Sequence, residues 1–192
     1  RETTSIADFR SAYREAAQVA TVRALETGSA HDPRSADGSK VVPIPLTIAT
    51  VAFGDLEEEL ELPIADGGVD WNPSLVFPGL RKGEHLENQI ELAPRAPILA
   101  ADGTPLAEGP AEEREHPLGT AAIDVTGEIG TPSEDEIEKL ARRGFSADTP
   151  VGTSGLEQAF NARLAGKPGG SLLAVDASGS SIRVLAQGEP EA

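Results

Sequence analysis

The chain has 192 residues, with 32 Asp plus Glu against 16 Lys plus Arg, a formal charge of −16. That balance excludes a phosphate-tracking nucleic-acid binder, which needs clustered cations. The absence of cysteine excludes disulfides, a thiol nucleophile and thiolate metal sites. A hydrophobic fraction of 39% with 4% aromatics is lean but suits a folded chain, and the length fits one large domain or two small ones. The chain starts at Arg1, has no methionine and holds no apolar run of about 18 residues. We therefore expect an excised or processed piece of a longer protein, with neither signal peptide nor membrane span.

In chain order, residues 5–26 read as a helix. Ile6, Phe9, Tyr13, Ala16, Ala17 and Ala20 fall at intervals of three and four, Thr4 or Ser5 can cap it, and Gly28 ends it. Residues 31–40 lack a large apolar side chain and read as a solvated loop, with too few ligands around His31 and Asp32 for a metal. Residues 42–53 read as a strand that Pro43 and Pro45 confine to a sheet edge or an entry over its first half. Residues 56–64 alternate, with Leu60, Leu62 and Ile64 on one face and Glu57, Glu59 and Glu61 on a wet one, and Gly54-Asp55 makes the pair a hairpin.

After a turn at Asp66-Gly67-Gly68, residues 69–80 read as an extended crossing segment that carries the only Trp, with Trp71 and Phe77 placed at a domain junction. Residues 84–90 are strand-like, and Asp102-Gly103 turns another short β unit. The charged run 109–117 reads as a flexible surface loop. Ser133 with Glu136, and Ser154 with Glu157, each match a capping box. The first opens a helix with Ile137, Leu140 and Ala141 inward and a stop at Gly144. The second opens a helix whose Leu156, Phe160 and Leu164 form a core stripe ended by Gly166 and Pro168. Residues 171–175 and 181–186 close the chain as a hairpin.

No local catalytic signature is present. No Ser is followed three positions later by Lys; Ser11 meets Arg14, which stays protonated and cannot act as a base. Lys-Thr-Gly, Gly-x-Ser-x-Gly, Gly-x-x-x-x-Gly-Lys and His-Glu-x-x-His are absent, and His31, His85 and His116 share no metal-ligand spacing. We assign no catalytic, cofactor or metal residue and expect no penicillin to acylate this chain.

From Trp71 onward the order of signals resembles the non-catalytic part of class B penicillin-binding proteins. Residues 71–80 look like the segment that follows the nuclear-transport-factor-2-like extension of the methicillin-resistance type. Residues 94–107 are similar to the family's Pro-x-Arg-Gly-x-Ile-x-Asp-Arg-x-Gly-x-x-Leu-Ala. Arg95, Asp102 and Gly103 are kept, Ala96 replaces the Gly, and Ala100 and Ala101 replace the Asp-Arg pair. His116-Pro117-Leu118-Gly119 and residues 125–130 are similar to its Tyr-Pro-x-Gly and Gly-Tyr-Val-Gly blocks. Residues 153–169, with Gly155, Leu156 and Glu157, resemble its Gly-Leu-Glu signature. The Ala-rich, Arg-over-Lys usage suits an actinobacterial source.

The resemblance implies an α+β fold, with a nuclear-transport-factor-2-like extension over residues 1–80 and an elongated dimerisation or pedestal domain over residues 81–192. It also implies a parent anchored in the cell membrane and facing outward, whose peptidoglycan transpeptidase domain lies outside this chain. Partners would be that transpeptidase domain, membrane glycosyltransferases or other cell-wall proteins, and a second copy. The chain itself would be a stalk that spaces and docks. The alternative is a stand-alone extracytoplasmic ligand-binding module. An exposed apolar patch on residues 81–192 favours docking, and a closed apolar pocket in residues 1–80 favours ligand binding. Arg95 is the expected partner of an acidic group, with an ordinary surface salt bridge and a special role both open.

Overall fold

The computed structural model describes residues 5–36 and 38–192; Thr4, one of the two candidate caps, lies outside them. The elements run α1 (Ile6–Val19), β1 (Val22–Thr27), β2 (Arg34–Ala36), β3 (Ser39–Thr50), β4 (Asp55–Ala65), β5 (Gly68–Val69), a 3-10 turn (Pro73–Val76), β6 (His85–Glu91), β7 (Ile98–Leu99) and β8 (Pro105–Ala107). There follow a second 3-10 turn (Ala111–Glu113), α2 (Thr120–Thr126), β9 (Ile129–Gly130), α3 (Glu134–Arg142), β10 (Val151–Gly152), α4 (Gly155–Ala159), α5 (Asn161–Leu164), β11 (Gly169–Val175) and β12 (Ser181–Gly188). This is an α+β chain, as the sequence predicts. It forms two compact units, Arg1–Gln89 with Ser171–Gly188 and Ile90–Gly170 with Glu189–Ala192.

In the first unit the predicted long helix is shorter. Ser5 caps it, its Oγ accepting from Asp8 N–H at 3.1 Å, but α1 stops at Val19. Thr21 takes a left-handed φ of 49°, and from Val22 the chain pairs antiparallel with β3. Of the predicted inward positions, Ala16 and Ala20 are buried, whereas Ile6 is 74% exposed.

β3 is the hub of this sheet, with β4 on one side and β1 and β2 on the other. The edge position expected from its prolines is therefore corrected. Pro43 and Pro45 face the connection between β1 and β2, where their carbonyls accept from His31 and Gly28 N–H, each at 2.8 Å. No ladder N–H is needed there, which is how a central strand tolerates two prolines. Residues 31–40 are likewise not a plain loop, because Arg34–Ala36 pairs with β3.

The predicted β3–β4 hairpin forms, with Ile44 opposite Leu60 and Val42 opposite Leu62. Glu57, Glu59 and Glu61 share the other face, where Arg34 Nη2 meets Glu59 and Glu61 at 2.5 and 2.7 Å. Asp66 and Gly67, both at positive φ (52° and 79°), make the two-residue turn into β5, a geometry that matches strand twist. A separate sheet runs β12-β11-β6. Its hairpin is closed by Asp176, whose Oδ1 accepts from Ser178 and Ser180 N–H.

The second unit is built from short elements. The capping box at Ser133 is present, Glu136 Oε2 accepting from Ser133 N–H at 2.8 Å. Leu140 is buried with Phe145 and Val151, Ala141 is exposed, contrary to its predicted inward position, and Gly144 ends the helix at φ 75°. The second predicted helix is corrected. Residues 155–164 form two short helices, α4 and α5, that meet at Phe160, and Phe160 is 50% exposed rather than part of a core stripe.

Candidate functional site

The most constrained polar group of the second unit is Glu157, which is fully buried. Arg95, on the segment before β7, donates Nε–H to Glu157 Oε2 at 2.7 Å, and Nη2 to the Glu157 carbonyl and to Asn161 Oδ1 at 3.3 and 3.0 Å. Arg114, just after the second 3-10 turn, donates Nε–H to the other oxygen, Oε1, at 2.9 Å. Its remaining nitrogens bond the Gly109 and Ala96 carbonyls at 2.7 and 2.8 Å. The side chains of Arg95 and Arg114 are 3% and 5% exposed. Each carboxylate oxygen thus faces one guanidinium, and the hydrogen bonds offset part of the cost of burying three charges.

The clamp joins three stretches far apart in sequence: residues 93–97, residues 108–116, and α4 with α5. Ala96 N–H donates to the Leu164 carbonyl at 2.9 Å, and the backbones of Glu108 and Glu115 exchange hydrogen bonds. Asn161 Oδ1 also accepts from Gly152 N–H at 3.0 Å. The residues 109–117 therefore correct the flexible-loop reading: Glu112 and Glu113 are exposed, but Arg114 is an interior group.

Glycines permit α4 to sit where it does. A Cβ on Gly155, which has φ 56°, would lie 2.6 Å from Gly127 N, and one on Gly127 would overlap the Ser154 carbonyl. A Cβ on Gly152 would overlap the Glu157 carbonyl. Backbone meets backbone at these crossings, and only glycine leaves the room.

Arg95 and Glu157, two of the residues singled out in the sequence, are brought together by the fold. The surface salt bridge held open for Arg95 is excluded by its burial. Glu157 is not a helix cap, and Ser154 Oγ instead accepts from Glu128 N–H at 3.0 Å. Leu156 is half-buried beside them. Asp102 and Gly103 form the turn between β7 and β8, with Asp102 Oδ1 accepting from Thr104 N–H at 3.0 Å and holding its carboxyl below the usual range. Trp71 packs on Phe9 of α1 with ring centroids 5.4 Å apart, and Phe77 is buried, both in the first unit. Arg114 and Asn161 escaped the sequence reading. The one signal for Arg114 was its place as the lone guanidinium in an acidic run.

Its hydrogen bonds among the described residues join carboxylate, guanidinium, amide and backbone groups of separate stretches, so the cluster fastens chain segments. Among the described residues, no group of three or more His, Asp or Glu could hold a metal ion. No described helix is long and apolar enough to cross a membrane.

Residues 108–192 match the family model of the penicillin-binding protein dimerisation domain. Arg114 and Glu157 fall inside the matched region, and Arg95 falls before it. The match supports a dimerisation region of the penicillin-binding protein type, a non-catalytic module. No curated protein matches the chain.

Proposed function

We propose that the chain is the non-catalytic stalk of a class B penicillin-binding protein of the methicillin-resistance type. Residues 1–80 would be its transport-factor-like extension and residues 81–192 its dimerisation domain. The observation that carries this reading is the match over residues 108–192. The buried Arg95–Glu157–Arg114 clamp supports it, since a spacer must resist deformation and an interior ion cluster in which both carboxylate oxygens are hydrogen-bonded fixes geometry. The module stands on the outer face of the cell membrane, holds the parent's transpeptidase domain away from the bilayer and presents docking surface to cell-wall proteins. Leu99, Leu118, Val125 and Phe160, each at least half exposed, supply apolar contact area for such partners.

Labelling with a fluorescent penicillin tests this, on the chain and on the full translated product of its gene side by side. The longer product is expected to become labelled and the chain to stay dark. A dark full-length product would overturn the transpeptidase connection.

A further inference from the structure

Two guanidinium groups share one carboxylate in the clamp, so the cluster has one positive charge in excess in a place where all three side chains are at most 5% exposed. Carbonyl dipoles lower the cost of that charge without cancelling it. Nε and Nη2 of Arg95 are bonded, whereas Nη1 has no hydrogen-bond partner among the described residues. Arg95 also forms part of the wall of an open cavity of about 270 Å³. Leu92, Pro94, Phe145 and Pro150 give that cavity apolar walls, and Glu112 is the one acidic group in its lining. Glu112 is exposed and makes no ion pair among the described residues.

We propose that this cavity binds a carboxylate, which pairs with Nη1 of Arg95 while its apolar substituent packs against Pro94, Phe145 and Pro150. A guanidinium beside low-dielectric walls is the standard receptor for this group, because the charge-assisted bond is strong and water competes poorly. The volume is that of about nine waters at roughly 30 Å³ each, enough for an acylated amino acid such as the last residue of a peptide. This inference stands on the cavity and the clamp and does not depend on the stalk reading.

The test is a ¹⁵N–¹H titration of the full chain with sodium N-acetylalanine, its uncharged amide, sodium acetate, and sodium chloride at matched ionic strength. N-acetylalanine is expected to move the Arg95 Nε–H signal and the Phe145 and Ala165 amides saturably, while the amide and chloride leave them in place. Acetate acting equally well would make the ligand any small carboxylate, and acetate failing would make it a peptide C-terminus. Ala111→Trp fills the cavity beside an intact clamp and should abolish the shifts; Glu112→Gln removes a repelling charge and should tighten binding. Equal shifts with the uncharged amide, no shifts at all, or undiminished binding by Ala111→Trp would each overturn the proposal.

Discussion

Arg183 holds Glu84 with both terminal nitrogens, Nη1 on Oε1 and Nη2 on Oε2, each at 2.7 Å, across 99 residues of chain. The same guanidinium also donates to the Gly79 carbonyl. Strand β12 is thereby tied to the segment that leads into β6.

This pair makes one contribution to stability titrate with acid. The Arg183 hydrogen bond, first among its causes, holds the Glu84 carboxyl below its ordinary value of 4.5. A carboxylate with a depressed folded-state pKa stabilises the fold above the unfolded-state value, and the contribution is lost as pH falls through the folded value. Glu84→Gln should therefore lower the melting temperature at neutral pH, with the gap to the parent closing below about pH 4.5. Melting curves across pH 3 to 7 check this; a gap of constant size would refute the linkage.

Glu157→Gln leaves two interior guanidiniums facing one neutral amide. Breaking a buried ion cluster by removing one partner costs about 3–5 kcal/mol, so the urea midpoint should fall steeply. Arg114→Lys, which keeps the charge but loses the fork that reaches Glu157 and two carbonyls, should cost less than Glu157→Gln.

Glycine substitutions should separate two causes of damage. Gly103 has φ 87° but open space around its Cβ position, so Gly103→Ala meets only backbone strain, about 1–2 kcal/mol. Gly127 has a similar φ of 80° and the Ser154 carbonyl in the way. Gly127→Ala should therefore be far worse than Gly103→Ala in equilibrium unfolding, and equal losses would mean that α4 can move aside.

Tyr13 and Trp71 make opposite cases within one aromatic group. The Tyr13 hydroxyl donates to the Leu75 carbonyl at 3.1 Å, so Tyr13→Phe should cost about 1 kcal/mol. Trp71 Nε1 is buried without a partner, so Trp71→Phe sheds an unsatisfied donor that offsets part of its lost packing. It should cost less than the roughly 3–5 kcal/mol of an ordinary buried Trp truncation. Calorimetric melting of both variants reads the difference.

What could be read from the sequence was what neighbours in sequence decide. The β3–β4 and β4–β5 turns, the closing hairpin and the Ser133 cap all rest on residues within a few positions of one another. The two Ser-x-x-Glu motifs show where such reading ends. Glu136 turns back to Ser133, while Glu157, in the same local pattern, is drawn inward by Arg114 and Arg95, 43 and 62 residues away. The run from Val22 to Thr27 likewise includes Arg, Ala, Leu and Glu, all good helix formers; its pairing with β3 makes it a strand. Arg114 was invisible for the same reason, since a charged run looks solvated until its partner is known.

The first unit takes its strands from both halves of the chain, with Ser171–Gly188 joining Arg1–Gln89. On a ribosome, where chains emerge in order and domains fold as units, the earliest-made residues must wait for nearly the last. β6 has no neighbour in its sheet until β11 and β12 emerge, whereas nearly all of the second unit is already outside by then. Premature termination between residues 171 and 188 would thus spare the later-coded body more than the earlier one, the reverse of the usual rule that truncation harms only what lies downstream.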